Sequence, residues 1–374
     1  MRLHFRTTRL RVSMSFFAAL LWGTLAWGQA TAPPPQGSQP PDDTPSIKLG
    51  VMLFTDYTFT AAPAVKDTDG NTVQSSAFNV GRAYINVTGN ISHLVAFRIT
   101  PDISRETGSG SSLNGSYTYR LKYGYGQLNL DDWLGTGSWV RLGIQQTPYI
   151  VFMEDIYPYR FQGTMFVDRE GFLTSADTGL SWHYNLPSSH GDLHLGIYNG
   201  EGYAKPEANN QKAIQLRFSL RPTPSVNVLK GFRVTGFYDD DHYARSDRKT
   251  RLIANATFEH AWINAGFEYL KTKDRPLATA PETHANGWSV WVTPRTPVGI
   301  AGVFRYDSLN PNSNVPGPSE NAEKKRGIAG VAYWFPVKKG VSSAVLADYE
   351  RVHYDSGVAK PNEKRYALHA LFSY

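Results

Sequence analysis

RYALHALFSY occupies residues 365–374, the last ten of 374. Tyr366, Leu368, Ala370, Phe372 and Tyr374 take alternate positions, with Arg365, His369 and Ser373 between them. Successive side chains of a strand point to opposite faces, so this period of two separates an apolar face from a polar one. The same device recurs back to Ile47. Ile47, Leu49, Val51, Leu53, Tyr57 and Phe59 oppose Lys48, Gly50, Asp56, Thr58 and Thr60, with Met52 and Phe54 as apolar exceptions on the polar side. Ala83, Ile85 and Val87 oppose Arg82, Tyr84, Asn86 and Thr88; Val95, Phe97 and Ile99 oppose Arg98, Thr100 and Asp102. Val140, Leu142 and Ile144 oppose Arg141, Gly143 and Gln145, and Ile263, Ala265, Phe267 and Tyr269 oppose Asn264, Gly266 and Glu268. In YGYGQLNL (123–130) either set of positions could face outward.

Between these segments, long polar stretches (61–76, 105–115, 148–172, 272–285, 309–324) alternate with tight links such as GNIS (89–92), TPRT (293–296) and PVKKG (336–340). Transmembrane barrels have this asymmetry of short periplasmic turns and long external loops. Hydrocarbon offers no hydrogen bonds, so strands cross it only in a closed sheet with no free edge. The expected fold is therefore all-β, a transmembrane antiparallel β-barrel over residues 47–374. At roughly 20 residues per strand and connection it has about sixteen strands, with fourteen and eighteen as alternatives. The aromatic last residue resembles the C-terminal signature by which bacterial outer-membrane proteins are recognised, which makes the barrel-assembly machinery an expected partner through the strand ending in Tyr374.

The other end of the chain points to export. Arg2, Arg6, Arg9 and Arg11 precede an apolar run from Val12 to Trp27 that ends at small residues around Gly28. That order is a secretory signal (1–28), and its apolar core is shorter than the roughly 20 residues of a membrane span. Residues 29–46 (QATAPPPQGSQPPDDTPS) are Pro-rich, hold no bulky apolar core, and read as a periplasmic leader. The formal charge is +6, but four cations and no acid precede Val12, so the remainder carries only +2. No clustered basic face suggests a nucleic-acid partner. With no cysteine, no disulfide contributes. Phe 19, Tyr 21 and Trp 9 in a chain only 41% hydrophobic suit a barrel with aromatic girdles in outer-membrane lipid and lipopolysaccharide.

A barrel of this size leaves an aqueous lumen lined by the polar face of each strand. The longest connection, 148–172, carries Glu154, Asp155, Arg160, Asp168, Arg169 and Glu170 among many aromatics. It is too apolar for a solvated loop; folding it inward would constrict the lumen, the alternative being an external loop packed against a neighbouring subunit. No Ser/His/Asp spacing assigns a catalytic residue, and no cofactor is expected. His183, His190 and His194 lack a completing carboxylate or cysteine set and read as a solvated turn rather than a metal site. Asp239, Asp240, Asp241 and His242 read as an acidic external loop.

Several segments, in order along the barrel, resemble the family of phosphate-selective porins O and P: FNVGRAYINVTGNI (78–91), LKYGYGQLNL (121–130), VRLGIQQTPY (140–149), DREGFLTSADTGLSWHY (168–184), LGIYNGEGY (195–203) and VFRYDSLNPN (303–312). The resemblance implies a sixteen-stranded, homotrimeric barrel that passes small anionic solutes, phosphate and polyphosphate among them. It assigns no binding lysine to a position in this chain. Anion passage calls for lumen-facing cations. Strand parity offers Arg82, Arg98, Lys122, Arg141, Arg217, Arg233 and Arg305, together with Arg251 and Arg326, and the long loop adds Arg169. Asp56, Asp102, Asp177, Glu259, Glu268 and Asp307 share the lumen parity, so a general or carboxylate-type diffusion porin is the alternative reading, with an outer-membrane barrel enzyme as a more remote one.

Overall fold

A computed structural model of the chain describes residues 43–243, 247–314, 323–336, 341–355 and 360–374. The signal segment 1–28, the leader up to residue 42 and Lys338–Lys339 lie outside the described residues. Among those described, sixteen antiparallel strands close into one barrel in chain order, and the last pairs with the first. They are β1 (Ser46–Lys66), β2 (Thr72–Asn90), β3 (Val95–Arg105), β4 (Tyr117–Asn129), β5 (Trp139–Gln146), β6 (Ala176–Asn185), β7 (Gly191–Tyr198) and β8 (Ala213–Leu220). The second half comprises β9 (Phe232–Asp241), β10 (Arg248–His260), β11 (Ile263–Arg275), β12 (Asn286–Pro294), β13 (Ile300–Asn310), β14 (Lys324–Trp334), β15 (Ser342–Tyr354) and β16 (Glu363–Ser373). Three short α-helices, α1 (Asp131–Leu134), α2 (Ile150–Ile156) and α3 (Phe166–Arg169), and one 3-10 turn (Pro187–Ser189) complete the elements among the described residues. No helix is long and apolar enough to cross a membrane.

The alternation sorts side chains as parity requires. On β5, Leu142 is 67% exposed on the outer wall while Arg141 beside it is 3% exposed. Outside, aromatic rings link neighbouring strands: Phe267 on β11 meets Trp288 on β12 at 6.5 Å, Trp288 meets Tyr306 on β13 at 5.4 Å, and Tyr349 on β15 meets Tyr366 on β16 at 5.1 Å. The band is interrupted on β14, where Gly327 pairs with Tyr306 on one side and Arg351 on the other.

Two regions expected as loops are strand. Residues 61–76 continue the β1–β2 hairpin, with Val65 opposite Val73 and Lys66 opposite Thr72. A ribbon that outruns the apolar band has no need to alternate, which hid it. Asp239–Asp241 end β9, with Asp239 and Asp241 buried on the inner face and Asp240 paired outside with Arg248 at 3.2 Å.

The ambiguous strand β4 owes its ambiguity to a bulge. Its register against β3 slips between Thr100–Tyr123 and Pro101–Leu121. Lys122 and Tyr123 are consequently both buried, although neighbours in a regular strand face opposite ways. A bulge re-aims a side chain in this manner, and here it turns Lys122 inward.

Candidate functional site

The connection after β5 lies inside the barrel. Ile150, Met153 and Ile156 form the buried face of α2. Tyr149, just before it, donates to the Glu268 carboxylate and accepts from Asn255 Nδ2 at 2.9 Å. Asn264 Nδ2 donates to the Ile156 carbonyl at 2.8 Å. The aromatics then follow the wall in sequence: Tyr157 packs on Trp291 at 5.1 Å, Tyr159 on Trp334 at 5.8 Å, and Phe161 on Phe54 at 6.4 Å. Met52 and Phe54, apolar on a polar face, belong to this same cluster; they seat the loop.

Beyond the aromatics the loop is bolted by charge. Arg169 Nη1 and Gln162 Nε2 each lie 3.1 Å from a Glu350 oxygen, and Arg326 and Arg365 pair with the same carboxylate. Glu170 holds Lys324 at 2.6 Å and Arg326 at 3.3 Å. Arg305 donates to the Thr164 carbonyl at 2.9 Å and pairs with Asp307 at 2.7 Å. Arg251 donates to the Phe172 carbonyl at 3.0 Å. The loop therefore covers the wall from β9 round to β16 and β1.

The wall from β2 to β5 carries the opposite arrangement. Arg82 is neutralised by Asp102 at 2.6 Å. Arg98, Lys122 and Arg141, buried on β3, β4 and β5, have no carboxylate within ion-pair distance among the described residues. Arg98 donates to Asn86 Oδ1 at 2.7 Å and Thr100 Oγ1 at 2.9 Å, and its guanidinium lies 4.5 Å over Tyr123. Lys122 Nζ donates to the Tyr84 hydroxyl at 3.3 Å and sits 4.8 Å over that ring. Arg141 donates to Gln127 at 2.7 Å and Gln146 at 3.0 Å, stacks 3.6 Å over Trp139, and leaves Nη2 without a partner. Neutral acceptors and ring faces hold these cations without cancelling their charge. Amide, hydroxyl and aromatic neighbours thus leave three adjacent strands with a net positive strip.

Facing the strip, Glu154 and Arg160 pair at 2.6 Å. They join Arg98, Lys122, Tyr123, Val151 and Asp155 around a narrow neck of about 50 Å³. Val151 and Asp155 also line a wider chamber of about 320 Å³ toward the short-turn end, bounded by Trp139, Phe152, His183, His194, Arg217 and Arg233. Asp155 thus stands between the two spaces. Burial, reinforced by the charges of Glu154 and Glu259, pushes its carboxyl up to about 7, against the pull of Arg217 and Arg233.

The sequence candidates separate into three groups. Arg82, Arg98, Lys122 and Arg141 share the β2–β5 wall. Arg217 and Arg233 border the chamber, paired with Asp192 and with Glu259 at 3.2 Å respectively. Arg169 and Arg305, with Arg326, lie where the loop meets the far wall. His183 and His194 are not in a solvated turn. His194 is 5% exposed and lies 5.0 Å from Trp139, while His183 Nε2 donates to the Asp192 carboxylate at 3.2 Å. Among the described residues no group of three or more His, Cys, Asp or Glu could hold a metal ion. Sequence reasoning missed the ring faces of Tyr84, Tyr123, Tyr125 and Trp139, and the counter-ions Asp192 and Glu350. Parity alone would have found Glu350 had β15 been aligned.

No protein-family model matches the chain, and no curated protein matches it. Solved structures do. The OmpF of Salmonella typhi in complex with daunomycin is similar at 13% identity and a TM-score of 0.61, covering 88% of this chain and 97% of its own. An anion-selective porin from Comamonas acidovorans is similar at 10% identity and 0.57, over 88% and 100%. The trimer form of OmpT, an outer membrane protein of Vibrio cholerae, is similar at 12% identity and 0.57, over 89% and 100%. The chain thus has the sixteen-stranded fold of outer-membrane porins.

Proposed function

We propose that the chain is a water-filled, non-enzymatic diffusion channel of the bacterial outer membrane, a homotrimer that favours small anions, phosphate or polyphosphate among them. One observation carries the anion preference: Arg98 and Lys122 line the neck and Arg141 stands on the next strand, all three with no carboxylate within ion-pair distance among the described residues. At an effective dielectric of 20, a unit charge about 5 Å from a passing anion attracts it by roughly 3 kcal/mol before salt screening. Three moderate stations in series stabilise a partly dehydrated anion at each step without trapping it. The arginine fork suits phosphate oxygens because it donates two parallel hydrogen bonds. The anion-selective porin among the similar structures and the sequence resemblance point the same way.

A general porin is the second reading, favoured by Glu154 and Asp155 at the neck opposite the strip. Single-channel recording in planar bilayers separates the two. Reversal potentials in asymmetric KCl are expected to show anion preference, and added phosphate is expected to reduce the chloride current. Open but unselective steps would leave the general porin; absence of conductance from folded protein would reject the channel.

Asp155 adds a pH dependence. Its carboxyl is charged above about 7 and neutral below, so acidification removes negative charge beside the neck. The anion-to-cation permeability ratio is expected to rise as the bath goes from pH 8 to pH 6, and Asp155→Asn should flatten that rise. A rise of equal size in the variant would assign the titration to another group.

A further inference from the structure

The outer wall carries a groove that the channel does not use. It lies across β13, β14 and β15 and reaches Val290 and Val292 on β12, about 680 Å³ in volume, between Phe304 and Tyr306 on one side and Tyr349 on the other. Its floor is Gly327 and Ala329, the small residues that break the aromatic band. A side chain at Gly327 would meet nothing within 4 Å, so glycine is not there to relieve crowding. Glycine inside a strand weakens it and often marks a place where another molecule approaches closely.

Cations crown one end of this groove. Lys325 pairs in register with His353, and Arg351 with Gly327. Arg351 and His353 are exposed, and neither has a hydrogen-bond or ion-pair partner among the described residues. Lys325 is shared loosely between Glu323 at 3.5 Å and Asp355 at 3.8 Å, exposed pairs that contribute little and exchange readily. These residues sit at the long-loop end of their strands, which in a barrel of this asymmetry faces the outside of the cell. Four residues along β14 separate Lys325 from Ala329, roughly 14 Å of strand. The feature is therefore amphipathic along the membrane normal: cationic at the outer headgroup level, aromatic and apolar below.

From this we infer that the β13–β15 groove is a binding site for a phosphorylated, acylated glycolipid of the outer leaflet, the lipid A moiety of lipopolysaccharide. One acyl chain lies over Gly327 and Ala329 between Phe304, Tyr306 and Tyr349, and a phosphate is held by Arg351, Lys325 and His353. Phosphate chemistry is what an uncommitted Arg–Lys–His group recognises. Apolar walls of this depth distinguish a lipid from free phosphate. The inference rests on the outer-membrane placement proposed above, but not on which ion the lumen passes.

The test is native mass spectrometry of the detergent-purified full barrel titrated with bis-phosphorylated, hexa-acylated lipid A. Dephosphorylated lipid A and phosphatidylethanolamine serve as comparison lipids, and conductance is recorded on the same preparations. Saturable binding of lipid A is expected, weakened at least tenfold in Lys325→Gln/Arg351→Gln. A similar loss is expected in Gly327→Phe, which fills the floor, and in Ala329→Phe should the first variant fail to fold. Dephosphorylated lipid A should bind wild type no better than lipid A binds the double variant. Equal affinity across the variants, or phosphatidylethanolamine binding as tightly, would overturn the site. So would a Gly327→Phe barrel that changes only its oligomeric state, since the groove would then hold a second copy. Conductance without selective lipid A binding would reject this inference and keep the channel. Binding without conductance would do the reverse.

Discussion

Replacing Arg98, Lys122 and Arg141 together with glutamine is expected to lower the anion-to-cation permeability ratio by roughly tenfold, a change of about 1.4 kcal/mol in relative barrier. The three side chains are held by neutral partners, with Arg141 Nη2 left over, so their removal strands no buried carboxylate and the strand register has no reason to shift. What disappears is net positive charge beside the neck, leaving Asp155 and the Glu154–Arg160 pair to set the field. Arg82→Gln differs in kind, because it exposes the Asp102 carboxylate it neutralises, held at 2.6 Å; part of its effect is a new negative charge. Arg305→Gln, behind the loop and bound to Asp307 and Thr164, should change selectivity little. Reversal potentials in a fixed KCl gradient read all three. A triple variant with the wild-type ratio, in a barrel that remains heat-modifiable on gels, would move the anion path away from β3–β5.

The second large effect concerns the loop. Glu350 gathers Arg169, Arg326, Arg365 and Gln162. Glu350→Ala leaves three guanidinium groups facing one another in a buried place, a loss of about 3–5 kcal/mol for breaking such a pairing. The strands close through their own backbone hydrogen bonds and need no loop to do so, so the strain falls on the segment around α3. The expected result is a folded barrel whose current is noisy, with visits to larger conductance levels as the loop leaves the β14–β16 wall. Glu350→Gln, which keeps the shape and an acceptor for Gln162, should be less noisy. Steps as quiet as wild type in both would show that the aromatic anchors Tyr157, Tyr159 and Phe161 hold the loop alone.

Most of the barrel was legible because alternation is a local property. Whether Leu142 or Arg141 faces outward can be read from five residues around it. Where alternation fails, the causes are equally local and equally physical. Met52 and Phe54 break the pattern because what covers them is protein, not water. Lys122 and Tyr123 break it because β4 carries an extra residue at that point. The direction of the loop was foreseeable from its aromatic content. Its partners were not, because the contacts join residues about 80 or more positions apart, as Arg251 does with Phe172 and Tyr149 with Glu268. For the same reason a list of basic residues with the right parity could not separate Arg141, held by amides, from Arg305, held by Asp307. Parity says which side of the wall a charge occupies; only the neighbouring strands say whether it is cancelled.

The seam between β1 and β16 has a consequence for the life of the molecule. Phe54 pairs with Leu371, so the barrel closes across roughly 320 residues of chain. In loop-entropy terms that distance is cheap, since each doubling of length adds only about 0.6 kcal/mol. In rate terms it is slow, because so distant a contact forms after nearly everything else. Once it has formed, parting the seam inside lipid would bare a row of backbone groups with nothing to bond. Assembly is thus laborious and disassembly slower still. The finished barrel should persist because its exit is barred, and its turnover in the cell should follow membrane loss and division more than unfolding.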